Sequence, residues 1–290
     1  MDFIGKRKIW YVISLLMIVP GLFSLFTQGL NFGIDFAGGN LVQIQFEQNV
    51  KTEDVRNVLG TIELEDSSIQ GSDNNSFIIK TKLMKKSEQM VMIDVLEKEL
   101  GQLEVLRSEE VGPTIGKELR RSGFLALGIA ILLMIAYITF RFELRFALAG
   151  IFALLHDILI TVGIFSIFQF EVDGTFIAAV LTIFGYSIND TIVIFDRIRE
   201  NMKKTKKFEL KILVNESIMQ TLARSINTVA TTLFVLIALF FFGGATTKTF
   251  VLALLIGISC GAYSSIFVAS PLWFDFHREN KNKFSKKAHA

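Results

Sequence analysis

A single cysteine, three prolines and three histidines stand in a chain of 290 residues. Cys260 has no second cysteine to pair with, which excludes an internal disulfide and a cysteine-rich zinc site, and its place in an apolar run says nothing about redox compartment. Three histidines are too few for a ligand cluster. Charge of one sign is also lacking: 30 Lys and Arg against 28 Asp and Glu leave a formal net charge of +2. No basic excess points to a nucleic-acid partner. What the chain has is apolar mass, with 28 Phe and a mean hydropathy of +0.48, too apolar for an ordinary soluble domain of this length.

A helix needs roughly 20 predominantly apolar residues to cross a hydrocarbon core of about 30 Å, because every backbone polar group must be bonded internally. Six runs meet or approach this. Ile9 to Phe26, Gly123 to Phe140, Ser225 to Thr247 and Thr249 to Phe274 are nearly or wholly uncharged; Phe146 to Phe168 carries Asp157, and Gly174 to Phe195 carries Asp190. The fold class follows: a polytopic α-helical membrane protein with six transmembrane helices. Lys6, Arg7 and Lys8 precede the first span, Arg141 and Arg145 separate the second and third, Arg197 to Lys211 holds seven Lys or Arg, and six Lys, Arg or His lie between His277 and Lys287. The turn at 169–173 has no Lys or Arg, and the turn near Gly243 has only Lys248. By the positive-inside rule both termini are expected in the cytoplasm, with those two turns outside. A signal-peptide reading of the first segment is disfavoured by its length and by the lack of an A-x-A-like site after it.

The expected division is a cytoplasmic N-terminus over 1–8, a first span over 9–28, an extracytoplasmic domain over 29–121, spans two to six over 122–274 with a cytoplasmic loop at 196–224, and a cytoplasmic tail over 275–290. In the domain, Val42, Ile44 and Phe46 alternate with Gln43 and Gln45 as a strand. Thr52 is expected to cap a short helix bearing Val55, Val58 and Leu59. A weak strand near Ser68 to Gln70 and a better one at Phe77 to Thr81 follow. Ser87 then begins a helix with Met90, Ile93, Leu96 and Leu100 on one face, before a strand over Leu103 to Leu106. The order βαββαβ fits a ferredoxin-like α+β unit.

Two glycine clusters faintly suggest phosphate loops. Gly33 to Gly39 lacks the lysine, and Gly112 to Glu118 is one residue short with Glu in place of Ser or Thr. Each joins the outer domain to a membrane helix, so Gly38, Gly39, Gly112, Pro113 and Gly116 are read as domain-hinge positions that set sharp backbone turns.

An ionisable side chain at the centre of a spanning helix costs roughly 2.5 to 3.5 kcal/mol on insertion scales, which makes Asp190 a functional candidate. Counting from the outer ends, Asp190 lies roughly 22 Å in and Arg224 roughly 28 Å in, a gap that an arginine stem of about 6 Å closes. Burial favours the neutral form of a carboxyl and an adjacent guanidinium favours the charged form. A change in their separation would therefore load or release a proton, and one charge crossing the field supplies about 2.3 kcal/mol per 100 mV. A static pair, or an Arg224 that snorkels to the inner surface, is the plainer alternative. Asp157 with His156 divides between a second ion station and a polar contact to a neighbouring helix; no further ligand cluster supports a metal there. Asn189, Thr191, Ser225, Asn227 and Thr228 are expected to bond between helices near the same depth. Ala253, Gly257, Gly261, Ser264 and Ser265 give the sixth helix small residues for close contact. Phe208 to Leu222 reads as an amphipathic helix lying on the inner membrane surface, its lysines drawn to anionic lipid, with a docking surface as the minority alternative.

Taken in order, several segments resemble the SecF family of bacterial protein export, within the resistance-nodulation-division superfamily. They are Gly33-Ile34-Asp35-Phe36-Ala37-Gly38-Gly39, Val111-Gly112-Pro113-Thr114-Ile115-Gly116, Phe140-Arg141-Phe142-Glu143, Leu155-His156-Asp157, Gly185 to Val193, and Asp196 to Asn201. The resemblance covers nearly the whole chain and implies an accessory subunit, not an enzyme and with no cofactor, in a bacterial plasma membrane. It implies a SecD-like partner, the SecYEG channel, SecA and a translocating preprotein as further partners, and Asp190 with Arg224 as the ion-coupling pair. A small-molecule or lipid exporter of the same superfamily is the alternative.

Overall fold

The computed structural model describes residues 1–72, 74–204 and 209–277. Six helices are long and apolar enough to cross a membrane: α1 (Arg7–Thr27), α5 (Pro113–Arg141), α6 (Leu144–Ile167), α7 (Gly174–Lys204), α8 (Leu210–Phe242) and a last one over Ala245–His277. The last comprises a 3-10 turn (Ala245–Thr247), α9 (Lys248–Ser264) and a π-helical turn (Ser265–Ala269).

The apolar stretches of α6, α7 and the sixth span are half buried or more, whereas those of α1, α5 and α8 stay largely uncovered. Small residues set the close approaches. A Cβ on Gly257 would overlap the Ile183 side chain, one on Gly261 would lie 2.9 Å from the Ser187 Cβ, and Gly21 and Gly163 face each other where α1 crosses α6. Ser24 and Ser166 share a hydrogen bond of 2.8 Å at that crossing. The small residues of the sixth span thus do what their pattern predicts, and Ser264 and Ser265 do more.

Between α1 and α5 lies the α+β unit. Strands β2 (Gly39–Phe46), β3 (Ser68–Ser72), β4 (Ser76–Thr81) and β5 (Leu103–Val111) form an antiparallel sheet in the order β3-β4-β2-β5, with α3 (Thr52–Gly60) and α4 (Lys86–Leu100) as its helices. Period-two alternation sends Val42, Ile44 and Phe46 of β2 and Phe77 and Ile79 of β4 into one core with Val55, Leu59, Met92 and Leu96. A bulge shifts the β2–β5 register between Gln43 and Ile44.

Three local expectations change. Thr52 is the first residue of α3 and not its cap; the Asp54 carboxylate instead accepts a bond of 3.1 Å from the Lys51 amide. α4 starts one residue before Ser87, with Glu88 accepting from the Lys85 amide at 2.9 Å, and it buries Met92 whereas Met90 is 68% exposed. The phase is set by which turn meets the sheet, and Met92, four residues before Leu96, lies on the buried stripe. Finally, Leu210 to Leu222 is neither a loop nor a separate surface helix, since it is continuous with the fifth span in one helix of 33 residues. Its apolar face, Leu213, Val214 and Ile218, packs into the bundle against Phe195, Ile198 and Trp273. That contact holds it in line with the span. Phe208 and the basic tail from 278 onward lie outside the described residues.

The α+β unit sits at the end of the bundle where the turns before α7 and before α9 emerge. Strand β1 (Asn31–Phe32) pairs in parallel with β6 (Glu171–Val172), and Gln70 donates to the Ala245 carbonyl at 2.9 Å. At the opposite end the N-terminal residues are tucked in: Phe3 and Ile4 are buried, and Asn215 accepts from the Ile4 amide at 3.0 Å. Lys211, 2.7 Å away, with the Gly5 amide, holds the Asp2 carboxyl down to about 2.

Candidate functional site

Two carboxylates are enclosed by the bundle, and their surroundings differ. Asp157 on α6 is fully buried and each of its two oxygens has a partner. Its Oδ2 accepts from the Ser187 hydroxyl of α7 at 2.6 Å and from the Ser264 hydroxyl of α9 at 2.8 Å. Its Oδ1 lies 2.9 Å from His156 Nδ1, and His156 Nε2 is 3.0 Å from Ser14 Oγ of α1. Tyr263 stacks on the His156 ring and donates to the Trp10 carbonyl at 2.9 Å. One acid thereby joins the first, third, fourth and sixth spans. His156 and Asp157 were legible as candidates, but Ser14, Ser187 and Tyr263 were not, since a lone hydroxyl on a spanning helix carries no directional signal in sequence.

Asp190, one turn beyond Ser187 on α7, is 7% exposed. Its Oδ1 accepts from the Ser225 hydroxyl of α8 at 2.8 Å, while Oδ2 is buried with no partner among the described residues. Arg224 is the residue before Ser225 on α8. The expected contact is not made, however: among the described residues no ion pair joins the two, and Arg224 is exposed on the outside of the bundle. Helical phase is the reason, because the residue that α8 turns toward α7 is Ser225 and its neighbour points about 100° away.

The same phase corrects the supporting residues. Asn189, Asn227 and Thr228 are exposed, and the Thr228 hydroxyl bonds to the Arg224 carbonyl in its own helix at 2.9 Å. Among the described residues, Thr191 and Ser225 are the members of that set whose side chains bond between helices. Thr191 is buried and shares a 2.8 Å bond with Ser265. The π turn after Ser264 turns consecutive hydroxyls at 264 and 265 into the bundle, one reaching Asp157 of α6 and the other Thr191 of α7. Tyr186 links α7 to α8 again, donating to the Thr228 carbonyl at 2.8 Å. Among the described residues no three His, Cys, Asp or Glu side chains converge as a metal would require.

The glycine clusters meet each other. Gly38 has φ of 82° and Gly39 of 155°, both in the region that favours glycine, and a Cβ on Gly39 would overlap the Thr81 carbonyl oxygen. Gly116, in the first turns of α5, faces the Phe36 carbonyl oxygen, which a Cβ would approach to 2.9 Å. Pro113 is the first residue of α5, where its missing amide costs nothing. Gly112 is different: its φ is −69° and a Cβ there would meet open space, so neither backbone nor packing requires glycine. The helical turn α2 (Ile34–Ala37) lies between the two clusters, and its Asp35 carboxylate accepts the first amide of α7, Gly174, at 2.9 Å.

The family model described as protein export membrane protein SecD/SecF, C-terminal, matches residues 91–279, and the SecD/SecF GG motif matches 23–50. The chain belongs to the SecD/SecF family. It is 43% identical over 281 residues to the protein translocase subunit SecF of Sebaldella termitidis, with 95% of this chain and 91% of that one aligned. To SecF of Magnetococcus marinus it is 46% identical, with 93% and 90% aligned. The crystal structure of SecDF, a translocon-associated membrane protein from Thermus thermophilus, superposes with a TM-score of 0.86 at 37% identity. That match covers 96% of this chain and 39% of the SecDF chain, so this chain spans well under half of that longer protein. A SecDF structure in a super-membrane-facing form gives a TM-score of 0.78. The chain is accordingly a multi-pass SecF-type subunit of the bacterial protein-export machinery, a transport component and not an enzyme.

Proposed function

We propose that this SecF-type chain couples an ion gradient to movement of its α+β domain, with Asp190 as the group that gains and loses the ion. The observation that carries the reading is the buried Oδ2 of Asp190, which has no hydrogen-bond partner among the described residues although Oδ1 is bonded to Ser225. A carboxylate oxygen left open inside a spanning bundle is costly unless something visits it, and a proton is the smallest visitor. Arg224 then acts as the movable counter-charge: its approach favours the charged form of Asp190 and its withdrawal the neutral one. Asp157, with every oxygen engaged, serves as the fixed polar centre about which α1, α6, α7 and α9 are held.

Orientation is part of the proposal. Both termini lie in the cytoplasm and the α+β domain outside, as the basic residues beside the spans argue. The position of that domain against the 169–173 turn, which has no Lys or Arg, agrees with this.

The partner is a SecD-like subunit. Arg224, Asn227, Thr228 and Thr231 recur at helical spacing along the uncovered face of α8. Facing lipid, such a stripe is unfavourable; facing protein, it supplies hydrogen bonds. The paired assembly would act beside the SecYEG channel after SecA has pushed a preprotein forward, drawing that chain outward. Co-purification tests the partner set: recovery with a SecD-like chain and translocase subunits supports it, whereas recovery alone with bound lipids or small molecules favours the exporter alternative. Replacing Asp190 with Asn in export-competent vesicles tests the coupling, which should vanish while gradient-independent export persists.

A further inference from the structure

The β4 strand is buried on both faces, and the two faces do different work. Phe77 and Ile79 enter the core of the α+β unit, so period-two alternation sends Ile78 and Lys80 the other way, toward the membrane helices. Lys80 Nζ there lies 2.6 and 2.7 Å from the two carboxylate oxygens of Glu171, in the turn that opens α7. Both side chains are largely enclosed, 17% and 21% exposed. The pair borders a cavity of about 150 Å³ between the unit and the helix ends, which Arg107 and Glu109 also line. Arg107 is already paired with Glu109 at 2.6 Å and does not compete for Glu171. Room for the contact comes from Gly33, where a Cβ would overlap Glu171 Oε1. Three residues beyond Glu171, the Gly174 amide at the head of α7 is held by Asp35.

We infer that Lys80 and Glu171, with Asp35 on Gly174, form the mechanical link between α7 and the α+β domain, so that displacement of the helix carrying Asp190 is delivered to strand β4. This deepens the proposed coupling and rests on it for its use, though not for its existence. Other tethers hold the domain to α1, to α5 and, through Gln70 on the Ala245 carbonyl, to the sixth span, none of which carries Asp190. The link to α7 alone leads from the carboxylate to the sheet along one continuous helix. The pair also has the property a coupler needs. Two enclosed opposite charges tolerate joint movement, whereas separating them leaves each uncompensated. Lys80 and Glu171 are therefore positioning residues: they touch neither ion nor preprotein.

The test uses the full chain with its SecD-like partner in vesicles containing the translocase, in four forms: native, Lys80→Glu, Glu171→Lys and the double reversal. Two quantities are read. One is the distance distribution between spin labels on Glu53 of α3 and Thr182 of α7, both exposed; the other is the part of preprotein export that disappears when the ion gradient is collapsed. Each single reversal should broaden the distance distribution and lower gradient-driven export by at least about fivefold, the lower end of ordinary site-to-site coupling. The double reversal should restore both. Unchanged distances in the single variants would overturn the link. So would changed distances with undiminished gradient-driven export, provided Asp190→Asn abolishes it in the same vesicles. If Asp190→Asn has no effect, the coupling proposal fails by itself and the distances alone decide the link.

Discussion

Asp157 and Asp190 are the same residue type at similar burial, yet their lone pairs set them apart. Asp157 accepts from Ser187 and Ser264 and contacts His156, so an asparagine there would lose acceptor capacity and face a donor with a donor. Interhelical bonds in membranes average roughly 0.6 kcal/mol and reach about 1.7. Three such contacts lead us to expect Asp157→Asn to destabilise the bundle by about 2 kcal/mol or more, read as a lower unfolding midpoint in detergent. Asp190→Asn should leave that midpoint unchanged or raise it, since removing an incompletely satisfied buried charge is often neutral or favourable. A fall in stability for Asp190→Asn matching that of Asp157→Asn would mean that both acids are structural. Ser225→Ala removes the hydrogen bond that Asp190 receives from α8. Gradient-driven export should weaken in that variant, with assembly intact.

Elements were legible in the sequence where composition alone decides them and obscure where rotation about an axis decides. The six spans follow from apolar length, and β2 and β4 follow from the alternation of Val42, Ile44, Phe46 and Phe77, Ile79. Which face of α8 meets α7 does not follow: Ser225 and Arg224 are adjacent in sequence, and only packing chooses the hydroxyl. The same ambiguity put Met90 in place of Met92 on α4. Gly39 and Gly112 look alike in sequence as well, but φ and contacts separate them. Gly39→Ala should thus impair folding or coupling of the outer unit, and Gly112→Ala should be silent in the same export assay. At the α7–α9 crossing, Gly257→Ala drives a methyl into Ile183. Overpacking of this kind typically costs about 1 to 3 kcal/mol, and a second change, Ile183→Ala, should recover part of the loss in unfolding experiments.

At the scale of the whole molecule, the chain is half-finished. α5 and α8 leave most of their apolar surface uncovered, with Phe124, Leu125, Leu132, Leu133 and Phe234 all more than 60% exposed. Lipid can cover those side chains, but the stripe at Arg224, Asn227, Thr228 and Thr231 calls for protein. A cysteine at Thr231 should be shielded from a lipid-soluble thiol reagent when the SecD-like partner is bound and react when it is absent. A cysteine at Phe124 is the lipid-facing comparison. The central claim is that the carboxyl of residue 190 takes up and releases the driving ion. Its most direct test is preprotein export in vesicles carrying native or Asp190→Asn chain, with the proton and sodium gradients collapsed one at a time. Collapse of one of them should slow the native vesicles and leave the variant at the slowed rate throughout; a variant whose export still falls with that gradient as far as the native protein's would contradict a role for Asp190 in taking up the ion.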